Sequence, residues 1–209
     1  MGIATMAIDD LVHRIRELEE KLDQAIDEQR KLFSYEVEKS RVRFEQAVRQ
    51  RHRRLKTGIF RYLIQSGFLS VLFAPLVYVL IIPLVILDVF VSVYQFICFP
   101  VYGIQKVKRS DFIAVDRHQL GYLNAIEKLN CVYCGYANGL LAYAREIAGN
   151  SEEHWCPIKH ARRTRGQHQH YWKFTEYGDA EGLSDKRWQI VKKSRLLRGK
   201  YWFKKQDGQ

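Results

Sequence analysis

Four residues whose types and spacing suit a metal ion lie between positions 131 and 160. Cys131 and Cys134 are separated by two residues, and Cys156 and His160 by three. Two thiolates this close can turn toward one ion, and a second pair completes a tetrahedron of three sulfurs and one imidazole. Gly135 suits a tight knuckle after Cys134, because glycine accepts positive φ. The spacing predicts a structural zinc site on these four residues.

The motif CVYCGY, which contains the first cysteine pair, resembles the knuckle of a rubredoxin. That resemblance implies iron as the alternative to zinc, although the second half reads CPIKH where rubredoxins carry CPxCG. The longer pattern, NCVYCGYANGL followed by EHWCPIKHARR, is similar to that of uncharacterised bacterial inner-membrane proteins. Two other interpretations of the cysteines stay open, a redox dithiol and burial as small apolar side chains.

Catalysis has no positive signal in the sequence. The motifs HExxH, GxGxxG, GxSxG and the P-loop do not occur in the chain. The neighbourhood of the predicted zinc ligands also holds His154, His168, His170, Glu146, Glu152 and Glu153. We interpret these as solvated polar side chains, and the alternative for the histidines is a contact to a zinc ligand or to a second ion. The sequence therefore favours a protein that is not an enzyme.

A long apolar block covers residues 62–105, where Asp88 is the only charged residue. One membrane crossing needs about 20 apolar residues, so the block has room for two. Basic residues flank both ends, with Arg61 before the block and Lys106 after it. Because lysine and arginine favour the cytoplasmic side, this symmetry predicts a transmembrane helical hairpin with both termini in the cytoplasm.

The predicted hairpin has arms over residues 62–82 and 89–105, joined by a turn over residues 83–88. At that turn the Asp88 carboxylate reaches the far interface, whereas at the bilayer centre it would cost about 3 kcal/mol. Two alternatives stay open. One is a re-entrant wedge that turns inside the bilayer near Pro75 or Pro83, and the other is a single long, kinked span.

The N-terminal third predicts one long amphipathic helix over residues 8–55, which contain neither glycine nor proline. Apolar residues recur at heptad spacing at Ile8, Leu11, Ile15, Leu18, Leu22, Ala25 and Leu32. The apolar face then continues in a shifted register at Phe33, Val37, Phe44 and Val48. Such a seam is typical of a coiled coil. We expect self-association through this helix, with packing on the chain's own domain as the alternative.

The C-terminal half predicts a small cytoplasmic α domain followed by a basic tail. Helices are expected over residues 116–129 and 138–148, with the first cysteine pair between them and the metal as a staple for a thin core. From Cys156 onward, lysine and arginine far outnumber aspartate and glutamate, and aromatic residues are interleaved with them. That composition favours anionic lipid headgroups as the partner over nucleic acid.

Together these patterns predict a mainly α protein, with a net charge of +11 over 209 residues. Its predicted parts are a self-association helix (residues 1–56), a membrane hairpin (57–107), a Cys3His metal-binding domain (108–175) and a basic aromatic tail (176–209). We expect an oligomeric, membrane-anchored zinc protein of the bacterial inner (plasma) membrane with a structural or membrane-organising role. The alternatives are an iron or thiol redox protein and a membrane-tethered nucleic-acid binder.

Overall fold

The computed structural model describes residues 2–32, 35–38, 41–44, 46–162 and 164–203. The helices are α1 (Gly2–Leu32), α2 (Gln46–Arg54), α3 (Ile59–Ser66), α4 (Phe68–Val79), α5 (Ile81–Tyr102), α6 (Ala125–Trp155) and α7 (Ala180–Phe203). Two short strands, β1 (Tyr35–Glu38) and β2 (Arg41–Phe44), pair antiparallel. Short 3-10 helices cover Arg109–Asp111, Arg117–Gln119 and Gln169–Lys173. The predicted mainly α class is confirmed.

The chain divides into two compact units. The first unit combines Met1–Tyr62 with Asp116–Lys128, and the second combines Leu63–Val115 with Leu129–Gln209. The predicted boundary between residues 107 and 108 falls inside the second unit, so the apolar block and most of the C-terminal half belong to one body. In the first unit, the rings of His52 and Tyr122 meet edge to face with centroids 5.0 Å apart.

The prediction of a single helix over residues 8–55 is wrong, because α1 ends at Leu32 and two strands follow. The segment alternates apolar and charged residues with a period of two, which suits a strand better than a helix. The strand register places Val37 opposite Val42 and Glu36 opposite Arg43. One cross-strand pair is therefore apolar, and the other joins opposite charges. Phe33, the side chains of Ile8, Leu32, Val37 and Phe44, and tail residues 204–209 lie outside the described residues.

The apolar seam of α1 is exposed. Every described side chain between residues 10 and 29 is exposed to solvent. Leu18, in the middle of the seam, has an exposed fraction of 63%. The first unit therefore leaves this seam uncovered over the described side chains of α1, and the predicted coiled coil stays a prediction.

The predicted hairpin turn over residues 83–88 is wrong. α4 and α5 meet at Leu80, whose backbone angles stay helical at φ −62° and ψ −14°. The two helices form one apolar segment, Phe68–Tyr102, of 35 residues, which by length and composition could cross a membrane. Pro83 does not end the helix because it lies in the first turn of α5, where a missing N–H removes little hydrogen bonding.

The bounds of the two helices predicted over residues 116–129 and 138–148 are wrong, because Arg117–Gln119 form a separate 3-10 helix and α6 runs without a break from Ala125 to Trp155. Its start is fixed by a capping box, in which the Asn124 side chain accepts hydrogen bonds from the backbone N–H groups of Ile126 and Glu127, both at 3.0 Å. The Glu127 carboxylate accepts a hydrogen bond in return from the Asn124 N–H at 2.8 Å. Pro157 follows the last helical residue, Trp155, and cannot extend the helix.

The core of the second unit lies where α5 and α6 meet. Phe99 from α5 and Leu140 from α6 are fully buried, and Ile104, Tyr143 and Ile147 complete the cluster. Contacts between α5 and α6 advance together along both helices, from Asp88 with Tyr136 to Gln95 with Tyr143, so the helices run in the same direction. The chain between them returns along α5, which brings Val107 back to Gln95.

Glycine permits the closest approach in this core. A Cβ on Gly139 of α6 would lie 2.6 Å from the carbonyl oxygen of Phe112 and 2.8 Å from the Cα of Ile113. Gly103, which ends α5 with φ +67°, would place a Cβ 2.1 Å from the carbonyl oxygen of Ser194 in α7. Any side chain at these two positions would push the backbone of the neighbouring segment away.

Candidate functional site

The four predicted zinc ligands are split between the two ends of α6. The expected knuckle at Cys131 and Cys134 is wrong, since both residues are helical and Gly135 is a buried helical residue. At a rise of about 1.5 Å per residue, Cys134 lies about 31 Å along the axis from Trp155, which directly precedes Cys156. Zinc–sulfur bonds are about 2.3 Å long, so one ion cannot reach both pairs in this arrangement.

No group of three or more Cys, His, Asp or Glu side chains within the described residues is placed to hold a metal ion. Cys131 is half-buried, whereas Cys134 and Cys156 are exposed, and all three are free thiols. The zinc site, and iron as its alternative, therefore gain no support from the geometry of one chain and stay predictions.

The WCPIKH motif holds two loops together instead. The backbone of Ile158 forms a bridge with Thr175, and the carbonyl oxygen of buried Pro157 accepts a hydrogen bond from the Thr175 N–H at 2.9 Å. The exposed His160 ring stacks on Tyr171 with centroids 6.0 Å apart, and the His160 N–H donates to the Tyr171 hydroxyl at 2.8 Å. These contacts account for the motif without a ligand.

A histidine–carboxylate cluster lies on the C-terminal half of α6. His170 Nε2 is 2.7 Å from Glu146 Oε1, and His170 Nδ1 is 2.8 Å from Glu153 Oε2. The first contact is a hydrogen bond, and the second is an ion pair whose angle is poor for a hydrogen bond. The contact with His170 lowers the pKa of Glu153 to about 2, and the contact with Glu153 raises the pKa of His170.

The cluster is suited to holding structure rather than to catalysis. A protonated imidazole with a carboxylate beside each nitrogen has no lone pair for a metal ion or for a substrate proton. Glu152 adds a parallel contact, with its Oε2 at 2.9 Å from His168 Nε2. A Cβ on Gly149 would lie 2.7 Å from His168 Nδ1, so this ring rests directly on the α6 backbone. Both histidines thereby fix residues 168–170 on α6.

A cavity of about 200 Å³ adjoins the cluster, lined in part by Glu153, His154, His170, Lys193 and Ser194. Glu153 faces both His170 and Lys193, whose Nζ lies 3.6 Å away, and Lys173 also lines the cavity. His154 Nδ1 is 3.4 Å from Ser194 Oγ, and burial lowers the pKa of His154. The lining therefore combines one carboxylate with basic and neutral side chains, and it favours no particular ligand.

One side of α5, which we call the polar face, consists of Asp88, Ser92 and Gln95. Asp88 is bound by Arg109 and accepts a hydrogen bond from the Tyr136 hydroxyl at 2.8 Å. Gln95 is only 7% exposed, and its amide donates to the Tyr143 hydroxyl at 2.8 Å and accepts from the Val107 N–H at 2.7 Å. The polar groups on this side of the apolar segment are thus satisfied inside the folded unit.

The opposite side of α5 is an exposed apolar surface, which we call the apolar stripe. It consists of Ile82, Val85, Ile86, Val89, Phe90, Val93, Phe96, Ile97 and Val101. Their exposed fractions range from 46% for Val85 to 71% for Phe90 and Phe96. In α4 no side chain is buried, and its exposed apolar residues continue the stripe, while Tyr78 of α4 contacts Asn130 and Tyr133 of α6. A contiguous exposed patch of this kind marks a binding surface.

Sequence reasoning missed the pairing of the histidines with the glutamates, which it treated as solvated side chains. A signal was present, because Glu146, Gly149 and Glu153 share one face of a helix at spacings of three and four. The positions of His168 and His170 against that face follow from the fold and not from their spacing. The sequence predicted the apolar block that contains the apolar stripe, but it did not predict which side of the helix packs against the rest of the chain.

Comparison of the chain with known protein families, with curated proteins and with solved structures finds no match.

Proposed function

We propose that the protein is a membrane-anchored structural protein, in which the apolar segment Phe68–Tyr102 attaches a basic helical unit to a bilayer. The observation that carries this proposal is the apolar stripe, together with the open surface of α4. Fully burying a Val, Ile or Phe side chain stabilises a protein or a complex by about 1.5–3 kcal/mol. Each side chain of the apolar stripe is roughly half exposed, so about half of this free energy remains to be gained by contact with a partner. Acyl chains would cover the whole surface at once.

The charge of the second unit supports the same proposal. Exposed basic side chains recur along α7, at Arg187, Lys192, Lys193, Arg195 and Arg198. Each basic residue near an anionic bilayer surface contributes about 1 kcal/mol of attraction. Anionic headgroups are therefore the proposed partner, and the bacterial inner membrane is the proposed location, in keeping with the resemblance of the sequence.

Self-association is the second part of the proposal. Leu11, Leu18 and Leu22 of α1 are 58%, 63% and 59% exposed and follow heptad spacing. A second copy of the same helix is the partner that this spacing fits, because knobs at such positions pack into holes between equivalent residues. The proposed role is thus to organise several copies at the membrane.

The proposal does not depend on a metal ion. Zinc, iron, thiol redox chemistry and nucleic-acid binding were alternatives from the sequence, and no arrangement of described side chains favours any of them over the structural role. The proposal therefore rests on the apolar and basic surfaces alone.

The test is fractionation of the full chain, expressed in a bacterial host, with successive high-salt and alkaline washes. We expect the protein to stay in the membrane pellet after both washes, because acyl-chain contacts do not depend on salt. Release by salt alone would show a purely electrostatic attachment, and recovery in the soluble fraction would show none. Either result would overturn the proposed anchor.

A further inference from the structure

We infer that Phe68–Tyr102 lies in a single leaflet of the bilayer and does not cross it, with the apolar stripe against the acyl chains and the polar face of α5 toward the folded unit. This inference rests on the proposed membrane attachment and adds its mode. Three features of the second unit and of the sequence around the segment support it.

The first observation is that the C-terminal part of the segment cannot cross a bilayer without its polar partners. Asp88 and Gln95 are bound to Arg109, Tyr136 and Tyr143, and these partners would enter the hydrocarbon with α5. The Arg109 guanidinium is 44% exposed, so within the described residues it is only partly shielded from its surroundings. A crossing by residues 82–102 would place this ion pair within the acyl region, where charged groups are strongly disfavoured.

The second observation is that a crossing by the N-terminal part leaves the stripe in water. Residues 68–87 are about 30 Å long as a helix, which matches the hydrocarbon thickness. In that arrangement Val89, Phe90, Phe96 and Val101 would lie in water beyond the membrane. Each of these apolar side chains is more than half exposed on the second unit. This part of the apolar stripe would then have no contact with acyl chains, although a contiguous exposed apolar patch marks a binding surface.

The third observation is that basic residues flank the segment at both ends. Arg61 precedes it, and Lys106, Lys108 and Arg109 follow it. Lysine and arginine favour one side of a bacterial inner membrane, and a single crossing would send one of these groups to the other side. An insertion into one leaflet keeps both groups on the same side with a single helix and no turn.

The dimensions permit this placement. The whole segment is about 52 Å long at 1.5 Å per residue, and half of the hydrocarbon region is about 15 Å thick. A shallow tilt therefore keeps both ends in one leaflet, with the exposed apolar side chains of α4 and the apolar stripe against the acyl chains. Lys106 extends its ammonium over the Phe96 ring at 4.7 Å from the centroid, as a lysine does when its charge stays at the headgroup level.

The first test uses sealed vesicles that carry the full chain and hold a membrane-impermeant maleimide only in the compartment opposite the folded unit. Phe68→Cys, Leu72→Cys and Leu80→Cys are made one at a time, and the native cysteines serve as internal controls. We expect no labelling of any cysteine until detergent opens the vesicles. Labelling of Phe68→Cys or Leu72→Cys from the far compartment would show a crossing and overturn the inference, while the membrane pellet would still support the anchor.

The second test asks whether the stripe itself contacts lipid. Phe90→Asp in α5 is compared with Leu141→Asp in α6, since both apolar side chains are more than half exposed on helices of the same unit and neither lies on the basic surface of α7. We expect Phe90→Asp to lower the partition of the purified protein into anionic vesicles at least tenfold, and Leu141→Asp to lower it less than twofold. An unchanged partition for Phe90→Asp would show that the stripe faces water or a second copy, which overturns the inference. Circular dichroism confirms that both variants are folded.

Discussion

Two helices of equal length, α1 and α6, behave in opposite ways. Each has 31 residues. Every described side chain of α1 between residues 10 and 29 is exposed, whereas α6 buries Gly135, Gly139, Leu140, Tyr143, Ile147 and Gly149. α1 concentrates its apolar residues on one narrow seam between charged positions. α6 instead alternates small and large residues on the side that meets α5.

The spacing and size of the residues on a helix face decide which partner the helix can pack against. A narrow heptad seam of leucine and isoleucine fits another copy of the same helix, because the repeat matches itself. A face with glycine among large side chains fits one particular neighbour, because the glycine must lie where a backbone comes close. α6 is therefore committed to the fold of its own chain, and α1 is available to another.

The largest expected effect comes from closing the gap at Gly139. Gly139→Ala places a methyl group 2.6 Å from the Phe112 carbonyl oxygen, so the backbone of residues 112–113 must move. We expect a loss of about 2–3 kcal/mol in the free energy of unfolding of the second unit. Denaturant unfolding in detergent, followed by tryptophan fluorescence, measures it.

Gly199→Ala is the matched control for this prediction. Gly199 lies in α7 with no atom within 4 Å of a new Cβ, so alanine should stabilise the helix by about 0.5–1 kcal/mol. Equal effects at the two glycines would show that α6 does not pack as closely as we describe.

A smaller effect is expected at the polar contact between α5 and α6. Tyr143→Phe removes the hydroxyl that accepts the hydrogen bond from the buried Gln95 amide at 2.8 Å. The amide keeps its 3.2 Å contact with the Val107 carbonyl oxygen, so we expect a loss of about 1–2 kcal/mol. Tyr177→Phe, at a side chain that is 70% exposed, should change the unfolding free energy by less than about 0.5 kcal/mol.

The histidine–carboxylate cluster on α6 predicts a pH dependence of stability. The lowered pKa of Glu153 means that its contribution is complete above its ordinary pKa of 4.5 and is lost as the pH falls toward 2. The raised pKa of His170 means that its contribution is complete below its ordinary pKa of 6.5 and is lost as the pH rises through the folded-state value. The cluster therefore stabilises most between about pH 4.5 and 6.5.

His170→Gln should remove this dependence, with a loss on the order of 1 kcal/mol near pH 5.5. In α1, His13 lies 3.2 Å from Glu17, but the two side chains are 74% and 54% exposed. His13→Gln should leave the pH profile of thermal unfolding unchanged, because exposed pairs contribute little. If the pH profile of thermal unfolding is the same for His170→Gln and the wild type, the histidine–carboxylate cluster does not contribute to stability.

The sequence predicted the parts of the fold whose signals are local. The apolar block is confirmed as a helical segment that by length and composition could cross a membrane, and its long run of apolar residues, interrupted by the single charge of Asp88, already indicated this. The start of α6 was also readable, since Asn124 and Glu127 form the N-x-x-E pattern of a capping box. That pattern would have moved the predicted start from residue 116 to Ala125.

The cysteine pair shows why the rest of the site was not predictable. A spacing of three places Cys131 and Cys134 on one side of a tight knuckle, but it also places them on one face of a helix. The helix is formed here because helical residues continue on both sides of the cysteine pair. A four-residue motif contains no information about these neighbours. Pro83 misled in the same way, because a proline in the first turn of a helix has the same sequence signature as one in a turn.

The smallest expected effect on the stability of the second unit comes from a substitution in α1. This substitution tests whether α1 binds a second copy of the chain. Leu18→Asp places a charge in the exposed seam, where the leucine has an exposed fraction of 63%. Since no described contact is lost, we expect the unfolding free energy of the second unit to change by less than about 0.5 kcal/mol. Self-association should weaken at least about tenfold, because a buried charge between two copies is strongly disfavoured.

Arg16→Asp is the control, since it introduces the same carboxylate at an exposed α1 position outside the seam. Sedimentation or mass photometry of the detergent-solubilised protein compares the two variants at equal concentration. Loss of association in Leu18→Asp alone assigns the seam to a second copy. If both variants keep the wild-type mass, α1 is not the contact between copies, and its exposed leucines need another partner that fits a heptad seam.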